Sequence, residues 1–424
     1  MKKVLIVGGG ASGLLVAINI ARLSNNPISV TIAEPQLFLG RGIAYSTHDR
    51  DHLLNVPAGR MSALVDVPDH FCKWGNFDPN YFAPRFEYGK YLLATFISMQ
   101  LEHPQVNFEH LQDTVESISQ HKDNFQVQFK DSESKLFDII VLALGQGRSI
   151  KHPELERFKG NPNVINDPWR DSIAEFEGTL ACVGTGLTFI DHALSHLRKS
   201  PRNRVIGISR NGLLPEKHLP KRAAPLEVPN EARQSPQAMR AFIENASDWR
   251  AAQDGIRHEL PDIWYSWDEA KKSEFLSKDL RWWNVHRHRV SPEIHHELDT
   301  ALSEGRITIV KDEVVALQEV SGHLSISTRT SGNFAAKAIV NCLGYEVPGG
   351  GTLIEKLSAA SLVSPGPLQL GVSTNYPNHT VLNSEGKSVE GLFAIGPILL
   401  GERFETTAIP ELRVQARDVA TEIV

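Results

Sequence analysis

The chain is poor in cysteine, with three in 424 residues. Cys72, Cys182 and Cys342 stand far apart, and no CxxC or CxxxxC pair occurs. That argues against a redox-active disulfide, and Cys182 and Cys342, in expected core strands, read as small buried hydrophobes. Long apolar runs are missing too. None approaches the roughly 18 residues of a membrane span, so no membrane partner is expected. There is no basic excess either: 44 Lys and Arg stand against 50 Asp and Glu, a net charge of −6. The basic residues are dispersed and form nothing like a nucleic-acid groove. Histidines lack carboxylates at ligand spacing, Glu293 and Glu297 being near but unpatterned, so no metal is expected. An apolar strand beginning at residue 4 leaves no room for a cleaved leader, and a cytoplasmic location is expected.

What is present begins at that strand. VLIVGGGASG reads as strand, tight turn and helix start, with Gly8, Gly10 and Gly13 in the three glycine positions of a dinucleotide fingerprint. The first glycine permits the turn, the second lets backbone approach a pyrophosphate, and the third lets helix pack on strand. Ser12 lies in the first helical turn, whose N–H groups and positive dipole end suit phosphates. A second strand, ISVTIAE, ends at Glu34, about 20 residues on, where an acid binds ribose hydroxyls.

TLACVGTGLTFID (179–191) repeats the pattern in degenerate form. Gly184 and Gly186 are in place, but Phe189 occupies the third position. The following strand, RVIGIS, ends in Ser209-Arg210 with no acid. An Arg there pairs with a 2′-phosphate and favours NADP(H), with NADH an alternative. Two dinucleotide sites in one chain suggest a flavin fed by a nicotinamide. DIIVLALGQG and AIVNCLGYE are buried-type strands ending in turns at Gly145 and Gly344. GLFAIGPILLGERFETTAIPELRVQA gives a strand, a Gly396-Pro397 turn and a helix expected from about Thr406 or Thr407.

The expected fold class is α/β, with two Rossmann-like dinucleotide-binding domains. Residues 1–155 form the first part of an FAD domain and 336–424 its C-terminal part. An NAD(P) domain, 156–335, is inserted between them and carries a helical insertion at about 215–290. That insertion holds Trp249, Trp264, Trp267, Trp282 and Trp283 and ends in WWNVHRHRVSPEIHHEL. Two readings of His286, Arg287, His288 and Arg289 stand open. The run is an electropositive cluster at the flavin cleft that anchors an anionic substrate through Arg287 and Arg289, or a helix surface with structural ion pairs.

RGIAYSTHDRDHLLNVPAGRMSA (41–63), GTGLTFID, ISRNGLLPEKH, HRHRVSPE and GERFETTAIPELRVQA resemble the FAD/NAD(P)-binding oxidoreductases that include FAD-dependent urate hydroxylases and aspartate N-monooxygenases. The resemblance spans essentially the whole chain. It implies that Leu54, Asn55 and Val56 lie by the isoalloxazine. Arg41 and Ser46 would sit near the ribityl or phosphates, and Gly396, Pro397 and Thr407 at the other flavin edge. The interdomain FxGxxxHxxxW signature of Baeyer–Villiger-type relatives is broken, with Val164 in place of the His and Trp169 one position late. The expected activity is NADPH-dependent hydroxylation of a small polar nitrogen-containing substrate by O2 through a flavin C4a-hydroperoxide, with Asn55, His286 and His288 as candidate catalytic groups. The alternatives are a flavin reductase serving a quinone or protein acceptor, and a non-catalytic flavin-binding partner protein.

Overall fold

The computed structural model describes residues 1–219, 223–346 and 352–424. Its largest sheet has seven strands in the order 374–375, 380–382, 388–394, 139–142, 2–7, 28–33, 106–111. The five strands from 388–394 to 106–111 pair in parallel. Val4, Leu5 and Ile6 are fully buried, as a strand covered on both faces requires. Helix Ala11–Leu23 packs on that sheet, with ten consecutive residues from Ser12 to Ala21 buried beneath Arg85–Glu102 and Ile409–Ile423.

The chain leaves this sheet after Leu142 and builds a second one before returning at Thr374. The second sheet has five parallel strands, ordered 307–311, 204–209, 179–183, 338–341, 164–165. Each sheet has a three-stranded antiparallel meander inserted before its returning strand: 115–121, 124–129, 135–137 in the first, and 314–320, 323–328, 333–336 in the second. The parallel-sheet architecture is two Rossmann-type units, one inserted into the other.

Between 209 and 307 the second unit carries helices Pro236–Asn245, Trp249–Ser266, Glu269–Glu274, Leu280–Arg287 and Pro292–Ser303. Their starts are written in the sequence. Ser235, Asp248, Asp268 and Ser291 each accept a backbone N–H from the first turn, and Pro236 and Pro292 need no N–H there. Trp264, Trp267, Phe275 and Trp283 form their core and close over Phe404 of the returning chain. Three of the five tryptophans are therefore core residues; Trp249 and Trp282 are half-buried and flank His286.

Candidate functional site

The first glycine turn is held by contacts that a side chain would destroy. Gly8 has φ +102°, and a Cβ there would stand 2.3 Å from the Ala143 carbonyl oxygen. A Cβ on Gly13 would stand 2.0 Å from the Gly8 carbonyl oxygen. Gly10 differs: its nearest neighbour would be the Gly42 Cα at 3.5 Å, and Gly42 in turn faces the Gly10 Cα at 3.6 Å. With no side chain on either glycine the two backbones approach each other closely, and the turn has the bare backbone that a pyrophosphate-binding turn needs at this position. Residues 40–46 fold over the turn, with the Gly40 N–H on the Gly9 carbonyl at 2.8 Å. The Ser46 hydroxyl closes this loop on the Ile43 carbonyl at 2.9 Å, and the Arg41 guanidinium lies 4.3 Å from the Phe38 ring centroid. Glu34 accepts the Gly9 and Gln36 N–H groups, each at 3.0 Å, so its half-buried carboxylate is fixed at the turn. Gly145, φ +69°, has nothing within 4 Å of where a Cβ would stand.

The C-terminal strip completes this site. Gly396, φ +83°, would place a Cβ 2.8 Å from the Ser12 hydroxyl, and its N–H is held by Gln415 at 3.1 Å. Pro397 is buried in the short turn that follows. The last helix starts at Ile409, later than the sequence suggests, because Pro410 sets its first turn. The loop before it therefore includes Thr406 and Thr407. Thr407 is exposed, whereas Thr406 is fully buried and its hydroxyl has no partner among the described residues. A buried hydroxyl without a partner among the described residues fits a bound polar group better than the exposed Thr407 does. Leu54 and Val56 are buried and Asn55 half-buried. The Asn55 carbonyl accepts His218 Nε2 at 3.0 Å, a contact from the second unit that the sequence does not signal. Burial outweighs that hydrogen bond and holds His218 down at about 4, so the ring is neutral at pH 7.

The second turn repeats the first at its opening glycine. Gly184 has φ +102°, and a Cβ there would stand 2.4 Å from the Cys342 carbonyl oxygen. Gly186 caps helix Leu187–Lys199. Phe189, at the degenerate position, is fully buried. It fits because Gly207 on the next strand makes room; a Cβ on Gly207 would meet the Phe189 ring at 2.8 Å. Ser209 bonds the Thr185 hydroxyl at 2.9 Å and receives the Gly212 N–H at 3.1 Å. Arg210 is exposed at the strand end. Across the units, Arg85 pairs with Asp191 at 2.7 Å, and Ser195 donates to Asp49 at 2.7 Å.

The HRHR run is engaged inside the protein. Arg287 and Glu405 pair at 3.0 Å with side chains 5% and 4% exposed. Trp283 Nε1 donates to the same carboxylate at 3.3 Å. Arg289 pairs with buried Asp254 at 3.2 Å and bonds the His286 carbonyl at 2.8 Å. Burial, reinforced by the Arg287 charge, holds His288 down at about 4. His286 bonds the Trp282 carbonyl at 2.8 Å through Nδ1. Each guanidinium already has its carboxylate, so the geometry supports the ion-pair reading of Arg287 and Arg289 over the substrate-anchor reading.

Residues 5–147 match a sequence profile described as FAD-NAD(P)-binding. That span contains the first glycine turn, Glu34, the loop over the turn and the strand ending at Leu142. No curated protein matches the chain in sequence. Solved structures match along its length. An ornithine hydroxylase from Pseudomonas aeruginosa is 15% identical, covers 100% of this chain and 98% of its own, and gives a TM-score of 0.65. An ornithine N-hydroxylase from Kutzneria, solved with reduced FAD, NADP+ and L-ornithine, is 13% identical, covers 99% and 98%, and scores 0.60. A bacillithiol disulfide reductase from Staphylococcus aureus is 14% identical, covers 99% and 98%, and scores 0.59. These likenesses establish the two-unit fold. Among the described residues no helix is long and apolar enough to cross a membrane.

Proposed function

We propose that this chain is an FAD-dependent, NAD(P)H-using monooxygenase that hydroxylates a small nitrogen-containing substrate. The observation that carries the reading is the pair of glycine turns, each with a second glycine left open, on a fold shared end to end with N-hydroxylases. FAD, when bound, supplies hydride acceptance and oxygen activation; the residues here bind, orient and exclude water. Gly8, Gly10, Ser12 and Gly13 cradle its pyrophosphate, and Glu34 receives the adenosine ribose. Gly396, Pro397 and Thr406 line the opposite side. Asn55, its backbone fixed by His218, offers a side-chain amide to the reacting face. Gly184, Gly186, Ser209 and Arg210 belong to the nicotinamide nucleotide. His286 is held on the Trp282 carbonyl, and His288, neutral at pH 7, takes no part as a cation.

A thiol-reductase reading finds no support in the cysteines. All three are buried and unpaired. Burial, with Cys182 alongside, pushes the Cys342 thiol well above its ordinary value, the opposite of an attacking thiolate. The test is direct. Purified protein is expected to be yellow, NADPH to bleach it without oxygen, and one member of a panel of amines, amino acids and purines to stimulate NADPH oxidation and gain one oxygen atom. Peroxide equal to NADPH consumed across the whole panel would reject hydroxylation in favour of a reductase. A flavin that NADPH does not bleach would reject both.

A further inference from the structure

Every other arginine on the helices from Pro236 to Arg287 faces a carboxylate: Arg240 with Asp279, Arg250 with Glu216, Arg257 with Glu411, Arg287 with Glu405. Among the described residues Arg281 is the exception. Its Nη2 donates to the Thr185 hydroxyl at 3.0 Å and to the Leu213 carbonyl at 3.2 Å, both neutral acceptors. Burial lowers its pKa, and no carboxylate acts to raise it. A half-buried cation with no carboxylate beside it among the described residues is placed to take up an anion.

The place of Arg281 says which anion. Its Nη1 stands 3.6 Å from where a Cβ of Gly186 would be. Gly186 is the glycine of the second turn that lets backbone approach a pyrophosphate, and it opens helix Leu187–Lys199, whose first N–H groups point the same way. Thr185, between the two glycines, is fully buried and already bonded to Leu213 and Ser209, so it anchors the guanidinium on one edge and leaves Nη1 over the turn. One π-helical turn, Phe275–Asp279, directly precedes the helix that carries Arg281.

We infer that Arg281 clamps the pyrophosphate of the nicotinamide dinucleotide, a group common to NADPH and NADH. This rests on the dinucleotide reading of the second turn given above. Arg210 lies outside that clamp, exposed at the strand end, and acts on the 2′-phosphate alone.

The experiment is calorimetric titration of the FAD-loaded protein with NADP+, NAD+ and ADP-ribose, which all carry the pyrophosphate. Arg281→Ala is expected to weaken all three by about ten- to a hundredfold, the range of a charge-assisted contact. Arg281→Gln keeps a polar side chain without the charge, and is expected to weaken all three as well with FAD content and melting temperature unchanged. Wild-type affinity for all three ligands in Arg281→Gln, or a loss confined to NADP+, overturns the assignment of Arg281. Failure of the wild-type protein to bind any of the three overturns the dinucleotide reading itself.

Discussion

The two glycine turns start alike and end differently. Gly8 and Gly184 share φ +102° and the same obstruction, the carbonyl oxygen of the residue that follows the adjacent strand, Ala143 in one and Cys342 in the other. Five residues on they part. Gly13 is pressed against the Gly8 carbonyl, whereas Phe189 fills the same position with a phenyl ring because Gly207 yields the space on the neighbouring strand. The first glycine is thus dictated by the strand beside it and Gly13 by the carbonyl of its own turn, while the space for the Phe189 ring comes from Gly207 on the next strand. Position 10 and position 186 belong to neither constraint. A Cβ at either would stand at ordinary van der Waals distance, 3.5 Å from the Gly42 Cα and 3.6 Å from Arg281 Nη1, and it is on this side that the proposed function puts the ligand.

The harshest way to break this comparison is to close one open position. At Gly10 a Cβ would stand 3.5 Å from the Gly42 Cα, at van der Waals contact, and the two γ-methyl groups of Gly10→Val extend beyond it over the bare backbone of the turn. The protein is expected to fold and to lose its flavin, read as absence of the flavin absorbance in purified protein with a preserved unfolding transition. Stoichiometric FAD in this variant would remove the first turn from the cofactor site.

The comparison also depends on the two units staying in register, and Glu405 with Arg287 is a bolt between them. Breaking a buried pair leaves an uncompensated charge and costs about 3–5 kcal/mol. Glu405→Gln is therefore expected to lower the melting temperature sharply at pH 7. The effect has a defined pH window. Burial raises the Glu405 carboxyl, but Arg287, then Arg257 and His288, outweigh it and hold it at about 2, below its usual 4.5. A depressed carboxyl contributes stability above its unfolded value and loses it as pH falls towards the folded one. The gap between wild type and Glu405→Gln should thus narrow from about pH 4.5 down to 2. A gap that stays constant across that window would show that the pair contributes nothing through its charge.

Strand, glycines, acid and inserted architecture were all legible in the sequence, because each is a local pattern of apolar run, small residue and polarity. What stayed hidden was long-range compensation. The role of Gly207 appears only when two strands lie side by side, since GIS in RVIGIS carries no mark of the Phe189 ring above it. Arg287 and Arg289 read as a basic cluster because their carboxylates, Glu405 and Asp254, are 118 and 35 residues away. Thr406 and Thr407 are adjacent and chemically identical; burial alone separates them. Arg281 carried no motif at all.

Gly207→Ala sharpens the contrast at the third position. Its Cβ would stand 2.8 Å from the Phe189 ring and 3.0 Å from Ile309, overpacking that costs about 1–3 kcal/mol. Phe189→Leu, which shortens the ring, is expected to recover much of that loss, read as a coupling energy in a double-mutant cycle of denaturant melts. Additive losses would mean that Gly207 is not what admits the phenyl ring.

The smallest effect expected concerns the ends of the second strands, where Glu34 stands in one unit and Ser209-Arg210 in the other. Glu34 is tied to the Gly9 and Gln36 N–H groups, so its carboxylate is placed before any ribose arrives. Arg210 is exposed with no such tie, and water and salt screen what it offers a phosphate. Its contribution should fall below that of a buried charge-assisted contact, at about three- to tenfold in the Michaelis constant for NADPH. NADH lacks the 2′-phosphate and should be unaffected by Arg210→Ala. Raising salt should shrink the wild-type preference for NADPH towards that of the variant, because an exposed contact is screened within about 10 Å at 0.1 M. An equal loss for both nucleotides would place Arg210 on the shared part of the ligand. The difference between the two strand ends would then no longer be one of nucleotide selection.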